Sequence, residues 1–450
     1  MTPSSSAADR PHIIVIYTDD LGFGDVGFNG ATDVATPHLD ALAASGAVMA
    51  RWYSNSPVCS PSRAALLTGR HPIHAGVGAI LGSDRGSVHG LLPQPTLASR
   101  LAEAGYRTSL VGKWHLGTTE ESHPLRSGFQ RFFGFLAGCV DYYSHIMYWG
   151  RTLPVHDLWE QSDEVWRNGR YLTHMITETA CQVIEERGDD PFFLMVSYNA
   201  PHYPLHAPQE YVDRFGHLPD DRRMIAAMIA AVDDGVGELV ATLEREGLRD
   251  NTVIMFSSDN GPSAEARNWL NGDELAFAGG STGGLRGHKG SLYEGGIRVP
   301  GLWSWPARIP AGQTLHASCQ MSDVTPTLLS AAGVDTADEL DGRSLLPLLT
   351  AESDTPEPRL LFWEYEGQRA VSDGDWKLVT APRDRLGSDE DTEPDALFCL
   401  ADDPAETRNL IASEPTQRQR LAPALTTFDA RVTGWRERAV RPEPTSRSEG

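Results

Sequence analysis

Short apolar runs of the kind that fill buried strands alternate, along the first 350 residues, with segments whose apolar positions recur at helical spacing. Residues 12–18, His-Ile-Ile-Val-Ile-Tyr-Thr, read as a buried strand. Thr36-Pro37 supplies a cap followed by proline at the first helical position, predicting a helix to about Ala44. A second helix is predicted from a cap at Thr96 to Gly105, and a strand over 107–111. Residues 192–198 and 252–258 are two further buried-strand candidates. Between them, 222–246 reads as a long helix with Met224, Ala227, Met228, Ala231 and Val232 on its apolar stripe and Gly247 as its stop. This β-α-β alternation predicts an α/β fold, a mostly parallel sheet flanked by helices on both faces.

Beyond about residue 350 the pattern changes. Residues 360–365, 368–372 and 376–380 read as short strands separated by Gly367 and by Asp373-Gly374, a hairpin signal. Residues 397–400 read as another strand and 417–432 as a closing helix. The expected organisation is a large α/β domain over 1–350, a smaller unit with an antiparallel sheet and helix over 351–440, and a disordered tail over 441–450. A length of 450 residues exceeds what one core usually serves, in keeping with that division.

Composition narrows the function class. With 38 Lys+Arg against 61 Asp+Glu the formal charge is −23, so a nucleic-acid backbone would be repelled. An anionic substrate would need a local basic pocket or a metal. The five cysteines (59, 139, 181, 319, 399) have no C-x-x-C spacing, which fits neither a disulfide framework nor a zinc site. The segment 1–17 lacks the features of a signal peptide, and no later stretch has the length of a membrane span. The expectation is a cytoplasmic protein without membrane partners, or a periplasmic or secreted one if a signal has been removed.

Ligands of open α/β sheets bind beyond the carboxyl ends of the strands. The predicted strands are followed by Asp19-Asp20, by Gly112-Lys113-Trp114-His115, by Asn199-Ala-Pro-His202 and by Asp259-Asn260-Gly261. Alone, Asp19-Asp20 reads as a cap or turn and Asp259-Asn260-Gly261 as a simple turn. Gathered on one rim, Asp19, Asp20, Asp259 and Asn260 form an oxygen-rich set that suits Ca²⁺ or Mg²⁺ better than zinc. Pro61 after Ser60 predicts a helix start just beyond Cys59, where free N–H groups favour negative charge and a lowered thiol pKa. The aromatic residues Tyr142, Tyr143, Tyr148, Trp149, Trp159 and Trp166 read as packing with a few substrate-wall residues.

The stretch Cys59-Ser60-Pro61-Ser62-Arg63, continued by Leu66-Leu67-Thr68-Gly69, resembles the C-x-P-x-R modification motif of the formylglycine-dependent sulfatases. Gly105-Tyr-Arg-Thr-Ser-Leu-Val-Gly-Lys-Trp-His115 matches their second signature. Segments 18–27, 258–261, 289–298 and 400–410 extend the likeness over nearly the whole chain. Within the family, 134–145 and 285–296 resemble the arylsulfatase B branch, which acts on sulfated amino sugars. The resemblance implies an alkaline-phosphatase-like fold and hydrolysis of sulfate monoesters, on aryl or carbohydrate substrates. It implies that a formylglycine-generating enzyme oxidises Cys59 to Cα-formylglycine. It also implies that Asp19, Asp20, Asp259, Asn260 and modified Cys59 hold Ca²⁺, with Mg²⁺ as the alternative ion. Arg63 and Lys113 would steady the modified side chain, and His115 would take a proton from its hydrate. His202 and Lys289 would contact the sulfate and leaving oxygen, with His145 as a lesser candidate for the pocket wall. The competing readings are a phosphomonoester or phosphonate monoester hydrolase of the same superfamily, and a non-catalytic binding protein on the same scaffold.

Overall fold

The computed structural model describes residues 10–86, 88–147, 154–265, 279–335, 340–353, 358–385 and 393–439. The tail over 441–450 and the pair Tyr148-Trp149 lie outside the described residues.

The most apolar stretch of the chain becomes the middle of the molecule. The strands of the first part are β1 (His12–Asp19), β2 (Ala47–Tyr53), β3 (Arg107–Lys113), β4 (Arg131–Phe135), β5 (Ile146–Met147), β6 (Val155–His156), β7 (Trp159–Glu160), β8 (Asp163–Glu164), β9 (Phe192–Pro201), β10 (Thr252–Ser258), β11 (Gly301–Ser304) and β12 (Gln313–Gln320). Ten of them form one sheet in the order β12-β2-β11-β10-β1-β9-β3-β4-β7-β8, and β5 pairs with β6 as a separate ribbon. The central run β10-β1-β9-β3-β4 is parallel throughout. β12 and β2 are parallel to each other, while β11, β7 and β8 are antiparallel to their neighbours. The sheet is thus mixed and mostly parallel, as the alternation predicts.

Both faces of the central strands are covered, which is why they read as unbroken apolar runs. Ile14, Ile16, Leu194, Val196, Ile254 and Phe256 pack with the helices Pro37–Ala44, Leu172–Glu185 and Asp220–Arg245. Their neighbours Ile13, Val15, Phe193, Met195, Val253 and Met255 point the other way, into the helices Cys59–Thr68, Leu97–Glu103 and Val324–Ala331. The one-residue alternation of a strand sends each set to its own core.

The C-terminal sheet is β13 (Leu361–Tyr365), β14 (Gln368–Ser372), β15 (Trp376–Thr380) and β16 (Ala396–Cys399), antiparallel in chain order. The left-handed pair Glu366 (φ 45°) and Gly367 (φ 87°) makes its first tight turn. The closing helix, Pro415–Ala439, is longer than the predicted one. Leu421, Leu425, Phe428, Val432 and Trp435 lie on one stripe of it, packing with Val371, Leu378 and Leu397 of the sheet. Against the first part, Lys377 of β15 is fully buried with Nζ 3.0 Å from both Glu294 Oε1 and Glu406 Oε1. Tyr53 OH donates to Glu294 Oε2 at 3.0 Å, and Glu294 N donates to Glu406 Oε2 at 2.6 Å.

His71 also joins the two parts. Its ring stacks on Trp435 (centroids 5.4 Å apart) and meets the edge of Phe428. Burial pushes its imidazole down to about 3, partly opposed by Asp341. Because the folded value lies below the unfolded one, near 6.5, the unfolded chain takes the proton first as the pH falls. Stability from this site is complete above pH 6.5 and declines by about 1.4 kcal/mol per pH unit on the way to pH 3. Denaturant midpoints measured from pH 7 to 4 should therefore fall less steeply for His71→Leu than for the parent protein. Identical slopes would contradict this account.

Candidate active site

Four neighbouring strands, β10, β1, β9 and β3, deliver their ends to one rim. β1 ends in Asp19, and Asp20 turns away from the strand at φ 64°. β10 leads into Asp259 and Asn260, β3 ends at Lys113 and β9 leads to His202. His115, two residues past β3, also has a left-handed backbone at φ 54°. Strained non-glycine residues of this kind persist where surrounding packing holds them, and they concentrate at working sites.

The helix under the rim begins at Cys59 itself, with Val58 as its cap, rather than just beyond it. Cys59 is 2% exposed. The expected lowering of its thiol pKa is reversed: burial pushes it up, Lys113 and Lys289 pull it down, and Asp19 and Asp259 add to the rise. Desolvation therefore outweighs the helix start.

The buried charges interlock. Arg63 donates to Asp259 Oδ2 from Nε (3.0 Å) and Nη2 (2.8 Å), and to Ser197 Oγ from Nη1 (2.7 Å). Lys113 Nζ donates to Asp19 Oδ2 at 2.5 Å, and Lys289 Nζ to Asp20 Oδ2 at 3.0 Å. Asn260 Nδ2 donates to Asp20 Oδ1 at 2.7 Å. Two oxygens, Asp19 Oδ1 and Asn260 Oδ1, are buried and accept no hydrogen bond. Asp19, Cys59 and Asp259 offer ligand atoms within 4.8 Å of one another, as do Asp19, Asp20 and His202. Burial pushes Asp20 up to about 7, relieved by Lys289 and reinforced by Asp19 and Asp259. Crowded, desolvated carboxylates with orphaned oxygens make a candidate cation site.

Both histidines are held neutral by their surroundings. Burial, then Lys113, holds His115 well below the usual imidazole range; burial, then Lys289 and Lys113, does the same for His202. His115 Nε2 donates to Leu81 O at 3.1 Å, which leaves the lone pair on Nδ1, a buried atom without a partner. His202 Nδ1 donates to Tyr203 O at 2.6 Å, turning Nε2 towards Asp20 Oδ2, 3.7 Å away.

The sulfatase family model matches residues 11–334. The chain belongs to the sulfatase family. It is a sulfuric ester hydrolase, and its large mixed sheet with a small antiparallel C-terminal sheet is the alkaline-phosphatase-like fold of that family. A second family model, described as N-sulphoglucosamine sulphohydrolase, C-terminal, matches residues 287–427. The sulfatase is 33% identical to arylsulfatase J of Mus musculus, over 84% of its own length and 65% of that protein's. It is 33% identical to arylsulfatase A of Homo sapiens, over 90% of its own length and 84% of that protein's. The solved structure of Ps i-CgsB in complex with k-i-k-neocarrahexaose superposes with a TM-score of 0.83 at 30% identity, covering 97% of this chain and 96% of that one.

Ten of the eleven residues singled out from the sequence thus converge on the rim of this sulfatase: Asp19, Asp20, Cys59, Arg63, Lys113, His115, His202, Asp259, Asn260 and Lys289. His145 does not join them. It is buried elsewhere, with Nε2 donating to Arg170 O at 3.1 Å and its ring edge-on to His156. Two buried members of the site were not foreseen. Ser197 takes the Arg63 hydrogen bond, and its signal was a polar residue inside an apolar strand. Glu265 lies 3.4 Å from Lys289 Nζ through Oε1 and accepts from Tyr203 OH at 3.1 Å through Oε2. Nothing in its local sequence marked it.

A cavity of about 610 Å³ lies beside the site, with Ser83, Arg85, His123, Leu136, His156 and Trp159 in its lining. Its link to the rim runs through Leu136, a lining residue whose carbonyl accepts from His115 N at 3.2 Å. Gly138 N, next to the lining residue Ala137, donates to Ser83 Oγ at 3.0 Å, and a Cβ on Gly138 would stand 2.8 Å from the His115 ring. Leu81, which holds His115 through its carbonyl, donates from N to Ser60 Oγ at 3.1 Å, one residue from Cys59.

Proposed function

We propose that this sulfatase cleaves the sulfate monoester of a carbohydrate through a formylglycine made from Cys59, with Ca²⁺ held by Asp19, Asp20, Asp259 and Asn260. The observation that carries the reading is the pair of buried oxygens that accept no hydrogen bond, Asp19 Oδ1 and Asn260 Oδ1, beside Cys59 and Asp259. A cation bound there would offset three carboxylates and polarise the sulfate oxygens. A hydrated formylglycine supplies two hydroxyls on one carbon, one to attack sulfur and one whose loss of a proton expels sulfate.

The chain's own groups do the rest. Arg63 fixes Asp259 with two hydrogen bonds, and Lys113 fixes Asp19, so the acidic groups keep one orientation. Arg63, Lys113 and Lys289 surround the anionic ester with positive charge, against the chain's overall −23. His115, with its free lone pair on Nδ1, is placed to take the proton that releases sulfate, and its depressed pKa keeps it neutral for the task. His202 and Lys289 attend the leaving oxygen. A carbohydrate is favoured because the adjoining cavity combines an indole with hydroxyl, imidazole and guanidinium groups at a size suited to sugar rings. Ps i-CgsB, which shares the fold, was solved with a neocarrahexaose bound, and the likeness of 134–145 to the arylsulfatase B branch points to amino sugars. The same reading takes residues 1–350 as the catalytic domain and 351–440 as a supporting unit. It names a formylglycine-generating enzyme as a partner and involves no membrane; among the described residues no helix is long and apolar enough to cross one.

Mass spectrometry of the peptide spanning Cys59, run beside sulfate release from an aryl sulfate, tests the reading. Activity should scale with the aldehyde fraction, collapse on chelation and return with calcium. Full activity from a preparation carrying only the thiol would overturn it.

A further inference from the structure

Lys289 stands between two carboxylates. Its side chain is nearly sealed from solvent, at 3% exposure, and its Nζ lies 3.0 Å from both oxygens of Asp20. On another side, 3.4 Å away, is Glu265 Oε1, a buried oxygen that accepts no hydrogen bond. Glu265 is held from behind by Tyr203 OH on Oε2, and the Tyr203 ring lies 5.9 Å from the ammonium. His202 Nε2, 3.7 Å from Asp20 Oδ2, is neutral and supplies no competing charge.

A divalent cation that takes Asp20 needs the carboxylate Lys289 now occupies, and it repels the ammonium at close range. Lys289 cannot escape to water. A buried charge deprived of its partner is costly, so its fate helps decide how tightly the cation binds. We propose that Glu265 is the second seat of Lys289: the ammonium passes from Asp20 to Glu265 when the cation occupies the rim. Glu265 is then a positioning residue that sets cation affinity and keeps Lys289 directed at the ester. This inference rests on the cation reading of Asp20 given above.

Calcium titration by isothermal calorimetry on the full chain tests it as a double-mutant cycle. Glu265→Gln, which keeps the shape and removes the charge, should weaken calcium binding by roughly tenfold to a hundredfold, as expected for loss of a hydrogen-bonded charge partner. In a Lys289→Met background the same change should cost far less, because there is no ammonium to receive. Tyr203→Phe, which removes only the hydroxyl holding Glu265, should weaken binding in the same direction by a smaller factor and guards against misfolding of the first variant. Unchanged affinity in both Glu265→Gln and Tyr203→Phe, or an equal loss with and without Lys289, overturns the handover while leaving the cation site standing. Absence of calcium binding by the parent protein overturns the cation reading itself.

Discussion

The Cys59→Ser variant is expected to take one sulfo group from an aryl sulfate and then stall, with steady turnover at least about a hundredfold below that of the matured protein. The side chain at position 59 opens a helix and is walled in by Asp19, Asp259, Lys113 and Lys289. A serine hydroxyl placed there meets the same positive charges and can attack the same sulfur. It has no second hydroxyl on its carbon, so His115 has no proton to remove that would expel sulfate. Release must then wait for water to reach a crowded, negatively charged ester. A burst equal to the enzyme concentration, with a matching mass increase on the intact protein, is the expected record. Rapid multiple turnover by this variant would show that the second hydroxyl is dispensable and would sink the proposed route.

Lys377→Met should be the most damaging change for stability, at about 3–5 kcal/mol, because it strips buried Glu406 of its ammonium and leaves buried Glu294 with Arg298, 3.6 Å away, as its cation. Lys377 is the cation shared by Glu294 and Glu406 at the seam between β15 and the first part of the chain. Burial already pushes Glu406 up to about 7, with Lys377 pulling down and Glu294 pushing up. Without the ammonium its folded-state value climbs further. A carboxyl with a raised folded value favours folding while protonated and loses that support as the pH rises through the folded value. The penalty of Lys377→Met should therefore be largest above pH 7 and shrink towards pH 5. Guanidinium unfolding at pH 5 and pH 8 measures both the size and the trend. A loss that does not depend on pH would assign the effect to packing instead of charge.

What could be read in advance follows from how each feature is encoded. β1, β3, β9 and β10 lie mid-sheet, so their apolar runs announce them, and they are also the strands that carry the rim. The outer strands were not foreseen. β2 includes Arg51 and is only partly covered, β11 has four residues, and β7 and β8 have two each. Asp19, Asp20, Cys59, Arg63, Lys113, His115, His202, Asp259, Asn260 and Lys289, which follow a predicted strand or sit in a family motif, lie together on one rim. The exceptions depend on solvent exclusion and long-range pairing. The direction of the Cys59 shift is set by how completely the rim closes over it. Glu265 becomes part of the site only through Tyr203 and Lys289, neither adjacent in sequence. His145 lies in a matched segment yet packs against His156 and Arg170 O, because the chain around it forms the ribbon of β5 and β6 and not the rim.

The burial of Cys59 also fixes a schedule. Its walls are built from residues as distant as Lys289, 289 − 59 = 230 positions later in the chain. An enzyme that must grip and oxidise this side chain has access only while those later residues are missing or not yet docked. At translation speeds of about 5–20 residues per second, that interval is roughly ten to fifty seconds. On the proposed formylglycine route, the yield of working catalyst would be decided by a race between the modifying enzyme and the growing sheet, and a host that folds this chain faster than it modifies it would accumulate a well-formed protein that keeps its thiol.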